Sequence, residues 1–156
     1  MYDKGQLVLN TLRSEINNDK LWLDIVKSIA EKFKYQTITA EEVFGLINQK
    51  TGQDYSYFFN QYFRQTAIPV LEVFLTKRGE SLTARYRWKA DKQDFKMPIK
   101  VTVAENDYQF IYPTMSWQAM PLSLARPENF KIADDLFYAD LKLNWTYLDP
   151  RREVKP

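Results

Sequence analysis

No histidine and no cysteine occurs among the 156 residues, and each absence removes a class of chemistry. Without cysteine there are no disulfides, thiolate nucleophiles or sulfur ligands. The compartment stays open, because cysteine-free proteins occur in oxidising and reducing surroundings alike. Without histidine the chain lacks the commonest metal ligand and the usual general base near neutral pH. Glycine is scarce as well: Gly5, Gly45, Gly52 and Gly79 are isolated from one another, so no glycine-rich phosphate loop exists. Neither charge sign dominates. Lys and Arg number 22 against 20 Asp and Glu, a net charge of +2, and the dispersed signs favour neither nucleic acid nor an anionic membrane as partner. No apolar run approaches the roughly 18 residues of a membrane-spanning helix. The N-terminus lacks the basic and apolar regions of a signal peptide.

What is present is an ordinary apolar fraction, 45%, with 15% aromatic residues, enough for a substantial core in one domain or two small ones. Two halves of different periodicity meet near Pro69. In the first, Gly5, Val8, Leu9, Leu12 and Ile16 recur at helical spacing and predict one buried face. Asn17-Asn18-Asp19 breaks that helix and caps the next, whose stripe is Leu21, Trp22, Ile25, Ile29 and Phe33. Thr39 with Glu42 forms a capping box, Ile38 and Val43 suit a hydrophobic staple, and Gly52 suits a left-handed helix end. Tyr55, Phe58, Phe59, Tyr62 and Phe63 form a fourth stripe, which reads as core packing rather than a ligand box. Ile68-Pro69 ends it.

After Pro69 the period falls to two. Leu71, Val73 and Leu75 alternate with more polar neighbours, and Lys77-Arg78-Gly79-Glu80 reads as a hairpin turn. Leu82, Ala84, Tyr86 and Trp88 then face inward. Ile99, Val101 and Val103 form another run, Asn106-Asp107 a turn, and Tyr108, Phe110 and Tyr112 the next strand. Three prolines between 113 and 135 predict loops and short edge strands. A last strand sets Phe137, Ala139, Leu141, Leu143 and Trp145 inward. About seven short antiparallel strands predict a β-sandwich.

Few residues qualify for chemistry. Glu41-Glu42 sits in a helix's first turn, where negative charge suits the macrodipole. Asp134-Asp135 sits in a loop, and nothing places a second carboxylate at the separation a glycosidase needs. Arg85, Arg87 and Lys89 alternate with aromatic residues, a pattern that the outer face of a sheet accounts for. Tyr2 remains. On chemistry alone it is a tyrosine at a terminus, where order is usually low.

The order of the segments changes that reading. Tyr2-Asp3-Lys4-Gly5-Gln6-Leu7-Val8-Leu9 with Leu12-Arg13 resembles the Tyr-Glu-Lys-Gly helix of the aminopeptidase N-like zinc metallopeptidases (peptidase family M-one, gluzincins). The similarity continues in Asn18-Asp19-Lys20-Leu21-Trp22, Phe33-Lys34 and Thr39-Ala40-Glu41-Glu42-Val43. It runs on through Thr51-Gly52-Gln53-Asp54-Tyr55, Phe58-Phe59, Tyr62-Phe63 and Ile68-Pro69-Val70-Leu71-Glu72-Val73 to Leu148-Asp149-Pro150. The resemblance implies that Tyr2 donates a hydrogen bond to the oxyanion formed when the peptide carbonyl is attacked. It makes Lys4 and Gly5 structural, with the glycine allowing close packing. It also implies a zinc cofactor in the parent protein, held by an upstream His-Glu-x-x-His motif that this chain lacks. This chain itself is expected to bind no zinc. Asp3 replaces the usual Glu, Ile68 a common Gly, and Tyr62 a frequent Trp.

The resulting expectation is an α+β chain. Residues 1–68 would be the helical end of a thermolysin-like catalytic domain, and residues 69–156 an antiparallel immunoglobulin-like β-sandwich. The parent would remove N-terminal residues from peptides, and this portion alone would be inactive. Its partners would be the upstream zinc-containing part of the peptidase and, in the intact protein, a peptide substrate, with no nucleic acid and no membrane span. A second reading is a non-catalytic interaction or scaffold module related to aminopeptidases. The compartment is open between secreted, periplasmic and cytoplasmic.

Overall fold

The computed structural model describes residues 2–149 and Arg151, the side chain of Tyr2 excepted. Four helices come first: α1 (Tyr2–Ile16), α2 (Asp19–Lys32), α3 (Ala40–Thr51) and α4 (Ser56–Arg64). Six strands follow: β1 (Val70–Arg78), β2 (Ser81–Lys89), β3 (Ile99–Ala104), β4 (Asp107–Ile111), β5 (Gln118–Leu122) and β6 (Asp140–Leu148), with a short 3-10 helix at Pro127–Asn129. Among the described residues no helix is long and apolar enough to cross a membrane.

Local chemistry sets several boundaries. The Asn18 side chain accepts from the backbone N–H of Leu21 and caps α2. Thr39 and Glu42 form the reciprocal capping box of α3, and Gly52 closes that helix at φ 69°, where a side chain would be strained. Gly79, at φ 57°, opens the two-residue turn between Arg78 and Ser81, as the primed hairpin turns require.

The larger sheet has the order β5-β2-β1-β6, and β3 and β4 form a two-stranded sheet. Its buried face is built from cross-strand pairs: Leu71 opposite Trp88, Val73 opposite Tyr86, Leu75 opposite Ala84. Ile99, Val101 and Ile111 of the small sheet join the same core. So do Val8 and Leu12 of α1, Ile25 of α2, Ile47 of α3 and the aromatic stripe of α4. Within that stripe Phe59 stacks on Phe44 with ring centroids 3.9 Å apart. The Tyr62 hydroxyl donates to the Tyr138 carbonyl at 2.6 Å, which ties α4 to the segment before β6.

The structure corrects the sequence reading in four places. β6 pairs with β1 in parallel, not antiparallel. The long segment 123–139 carries the chain back across the core, as a parallel pairing requires. β6 begins at Asp140, so Phe137 is a buried loop residue, and Trp145 is 43% exposed on an edge strand. Leu9 and Phe63, expected on buried stripes, are 50% and 51% exposed. The buried side of α1 is instead Val8, Thr11 and Leu12, with Glu15 beyond. Finally, a Cβ built at Gly5 meets nothing within 4 Å, so no described neighbour requires glycine there. The prolines of 113–135 behave as expected: β5 is an edge strand and carries Pro121.

Candidate functional site

Tyr2 is the first residue of α1, and its side chain lies outside the described residues. The backbone around it is anchored. Lys4 Nζ donates to the Gln65 carbonyl at 3.3 Å, tying the start of α1 to the linker that enters the sheet. Gln61 secures that linker from the other side, donating to the Ala67 carbonyl and accepting from the Lys92 N–H, both at 3.1 Å. Asp3 adds a carboxylate in the first turn of α1, where it complements the helix dipole.

Beside this end of α1 runs a groove of about 910 Å³ lined by Gly5, Gln6, Leu7, Leu9, Asn10, Arg13 and Trp22. Leu7 is 43% exposed here, and on the adjoining helix α2 Leu23 and Val26 are also open. Leu7 and Leu9 lie about 200° apart around α1 and flank a solvent-facing side that carries Gln6, Asn10 and Arg13.

The other end of α1 holds a group that periodicity did not single out. Glu15 follows Leu12 by three residues and Thr11 by four, so it continues the buried side of the helix. One carboxyl oxygen, Oε1, accepts a hydrogen bond from the Tyr57 hydroxyl. The other, Oε2, is buried with no partner. Burial disfavours the ionised form and lifts this carboxyl to about 8. Tyr55 is pushed up to about 12, first by burial and then by Glu15. A cleft of about 660 Å³ opens here, with Glu15, Tyr55, Tyr57, Lys96 and Phe110 in its wall. The Lys96 ammonium lies 5.6 Å from the centre of the Tyr57 ring. At 1.5 Å per residue, Glu15 stands about 20 Å along the helix from Tyr2, so the two do not share a site.

The acidic pairs do not form a site either. Glu42 caps α3, and Glu41 pairs with Arg64 at 2.6 Å. Asp134 and Asp135 are both exposed in the loop before β6. The chain holds no His or Cys, and among the described residues no three acidic side chains converge. On the sheet's outer face the Arg85 and Arg87 guanidiniums lie 5.2 and 4.6 Å from the Trp117 ring centre. Arg87 also pairs with Glu72 at 2.7 Å.

No protein-family model and no curated protein sequence matches the chain. Among solved structures, the fold is similar to that of aminopeptidase A from Legionella pneumophila in complex with aspartic acid, with a TM-score of 0.72. The match covers 92% of this chain at 12% sequence identity. The fold is shared with a segment of an aminopeptidase. This chain spans 18% of that protein's length. At this identity the likeness is one of fold, the mixed arrangement of four helices followed by strands.

Proposed function

We propose that this chain is the C-terminal portion of a zinc-dependent aminopeptidase that removes N-terminal residues from peptides. Residues 1–68 are then the helical end of a thermolysin-like catalytic domain of the gluzincin type, and 69–156 an immunoglobulin-like sandwich. The observation that carries the reading is the coincidence of two independent likenesses. The fold matches a segment of an aminopeptidase over 92% of the chain, and Tyr2-Asp3-Lys4-Gly5 opens α1. The groove along α1, with Leu7, Leu9 and Trp22 in its wall, and the exposed Leu23 and Val26 of α2 support a further part of the catalytic domain packing on these helices, since exposed apolar surface marks interaction sites.

In this reading the metal supplies the activation of water and is held outside this chain. This chain supplies the oxyanion donor. Tyr2 donates a hydrogen bond to an oxygen that is negatively charged only in the transition state, so its contribution is to turnover rather than to substrate affinity. The Lys4 to Gln65 bond and the Gln61 clamp hold the start of α1, which a preorganised donor requires.

The test is Tyr2→Phe in the full-length protein, assayed on amino-acid anilides with zinc content measured in parallel. We expect kcat to fall by about 10²–10³, with KM and zinc content little changed. Wild-type turnover in the variant removes Tyr2 from the mechanism. A full-length protein that binds no zinc and cleaves no anilide would leave the non-catalytic scaffold reading.

A further inference from the structure

The two edges of the larger sheet are treated differently. At β5 the edge is short, carries Pro121, and is continued by a bridge between Ser123 and Ala104 of the small sheet. At the opposite edge β6 runs nine residues, Asp140–Leu148, with no proline, glycine or bulge, in unbroken register with β1. Among the described residues no strand lies on its other side. A long, regular edge strand presents a row of unpaired backbone donors and acceptors and is a template for a further strand.

Which residues present them follows from one bond. The Asp140 N–H donates to the Pro69 carbonyl at 3.0 Å, so Asp140 and every second residue after it face β1. Leu141, Leu143, Trp145 and Tyr147 therefore direct their N–H and C=O groups to the open edge. Their side chains all lie on one face of the sheet, the face of Leu71, Val73 and Leu75, yet Trp145 and Tyr147 remain 43% and 61% exposed.

We propose that β6 pairs antiparallel with β6 of a second copy of this chain, about a two-fold axis through Asn144. In that register Leu141 stands opposite Tyr147, and Leu143 opposite Trp145, twice each. All four outward-facing residues meet their counterparts as hydrogen-bonded pairs. The aromatic-to-aliphatic contacts they make are the cross-strand type that stabilises sheets. Lys142 falls opposite Thr146 and Asp140 opposite Leu148, so no like charges face one another. The contact is isologous and closes at two copies, joining two four-stranded sheets into one of eight. A foreign strand with alternating apolar residues could satisfy the backbone, but the match of β6 to its own reverse favours a second copy.

Asn144 tests the register, because it is exposed on the outer face and meets only itself across the axis. Sedimentation velocity of the full-length protein should show a concentration-dependent monomer–dimer equilibrium. Asn144→Lys and Asn144→Asp should each weaken dimerisation about tenfold or more, through like charges placed opposite each other. An equimolar mixture of the two variants should restore it, and unchanged thermal melts would show that both variants fold. A wild-type protein that stays monomeric at about 100 μM overturns the proposal. So does a dimer unaffected by either charge, or a pair of variants whose mixture dimerises no better than each alone.

Discussion

The Tyr57 hydroxyl on α4 donates a hydrogen bond to Oε1 of Glu15 on α1, while Oε2 of the same carboxyl is buried with no partner. The pair joins the first helix to the last across the wall of the cleft. Burial disfavours the ionised form and raises this carboxyl to about 8, against the preference of a hydrogen-bond donor such as the Tyr57 hydroxyl for the charged form.

That shift makes stability depend on pH with a defined sign. Between the ordinary value of 4.5 and about 8, the folded state keeps a proton that the unfolded state has released. Stability falls as pH rises wherever the native state binds more protons. The contribution of Glu15 is therefore fully present below about 4.5 and lost as pH climbs through about 8, a decline of a few kcal/mol at most. Glu15→Gln keeps an acceptor for Tyr57 and cannot ionise, so its stability should fall less across this range. Urea denaturation of both proteins from pH 5 to 9 measures the difference, and parallel profiles would show that Glu15 does not carry a raised value.

Gly45 inside α3 and Gly52 at its C-terminal cap make a matched pair. Neither has any atom within 4 Å of a Cβ built upon it, so packing is removed from the comparison. Gly45 lies inside the helix, where alanine is favoured by about 1 kcal/mol. Gly52 sits at φ 69°, where alanine is strained by about 1 kcal/mol. Gly45→Ala should raise the denaturation midpoint and Gly52→Ala lower it. Shifts of the same sign would show that α3 is not closed by a left-handed residue.

Much of this was legible because it is local. The Thr39–Glu42 box, the Gly52 stop and the Gly79 turn depend on residues within a few positions of each other, and each formed where its chemistry pointed. The facing of α1 was not legible. Val8 and Leu12 share the buried side, which also carries polar Thr11 and part of Glu15, whereas the apolar Leu7 and Leu9 flank it and are exposed. Apolar period alone does not locate a face that mixes polar and apolar residues in this way. Nor does a two-residue period distinguish parallel from antiparallel neighbours, which hid the pairing of β6 with β1. The role assigned to Tyr2 came from the order of short motifs, since an oxyanion donor is recognised by what it faces.

Thr11 shows how much fold stability such an illegible residue can hold. It is fully buried, donates its hydroxyl to the Leu7 carbonyl at 2.7 Å and accepts from the Tyr138 N–H at 2.8 Å. Through it α1 is bonded to the segment that leads into β6. Thr11→Val preserves shape but leaves the Tyr138 N–H without its acceptor, a loss of about 1–3 kcal/mol for a buried donor. Thr11→Ser keeps the hydroxyl and removes one methyl, about 1 kcal/mol. The valine variant should therefore be the less stable of the two in equilibrium denaturation, despite its greater apolar volume. It should also lose hydrogen-exchange protection at the Tyr138 amide, whereas serine should not. If valine proves the more stable, the contact of Thr11 with Tyr138 contributes less than the methyl group beside it.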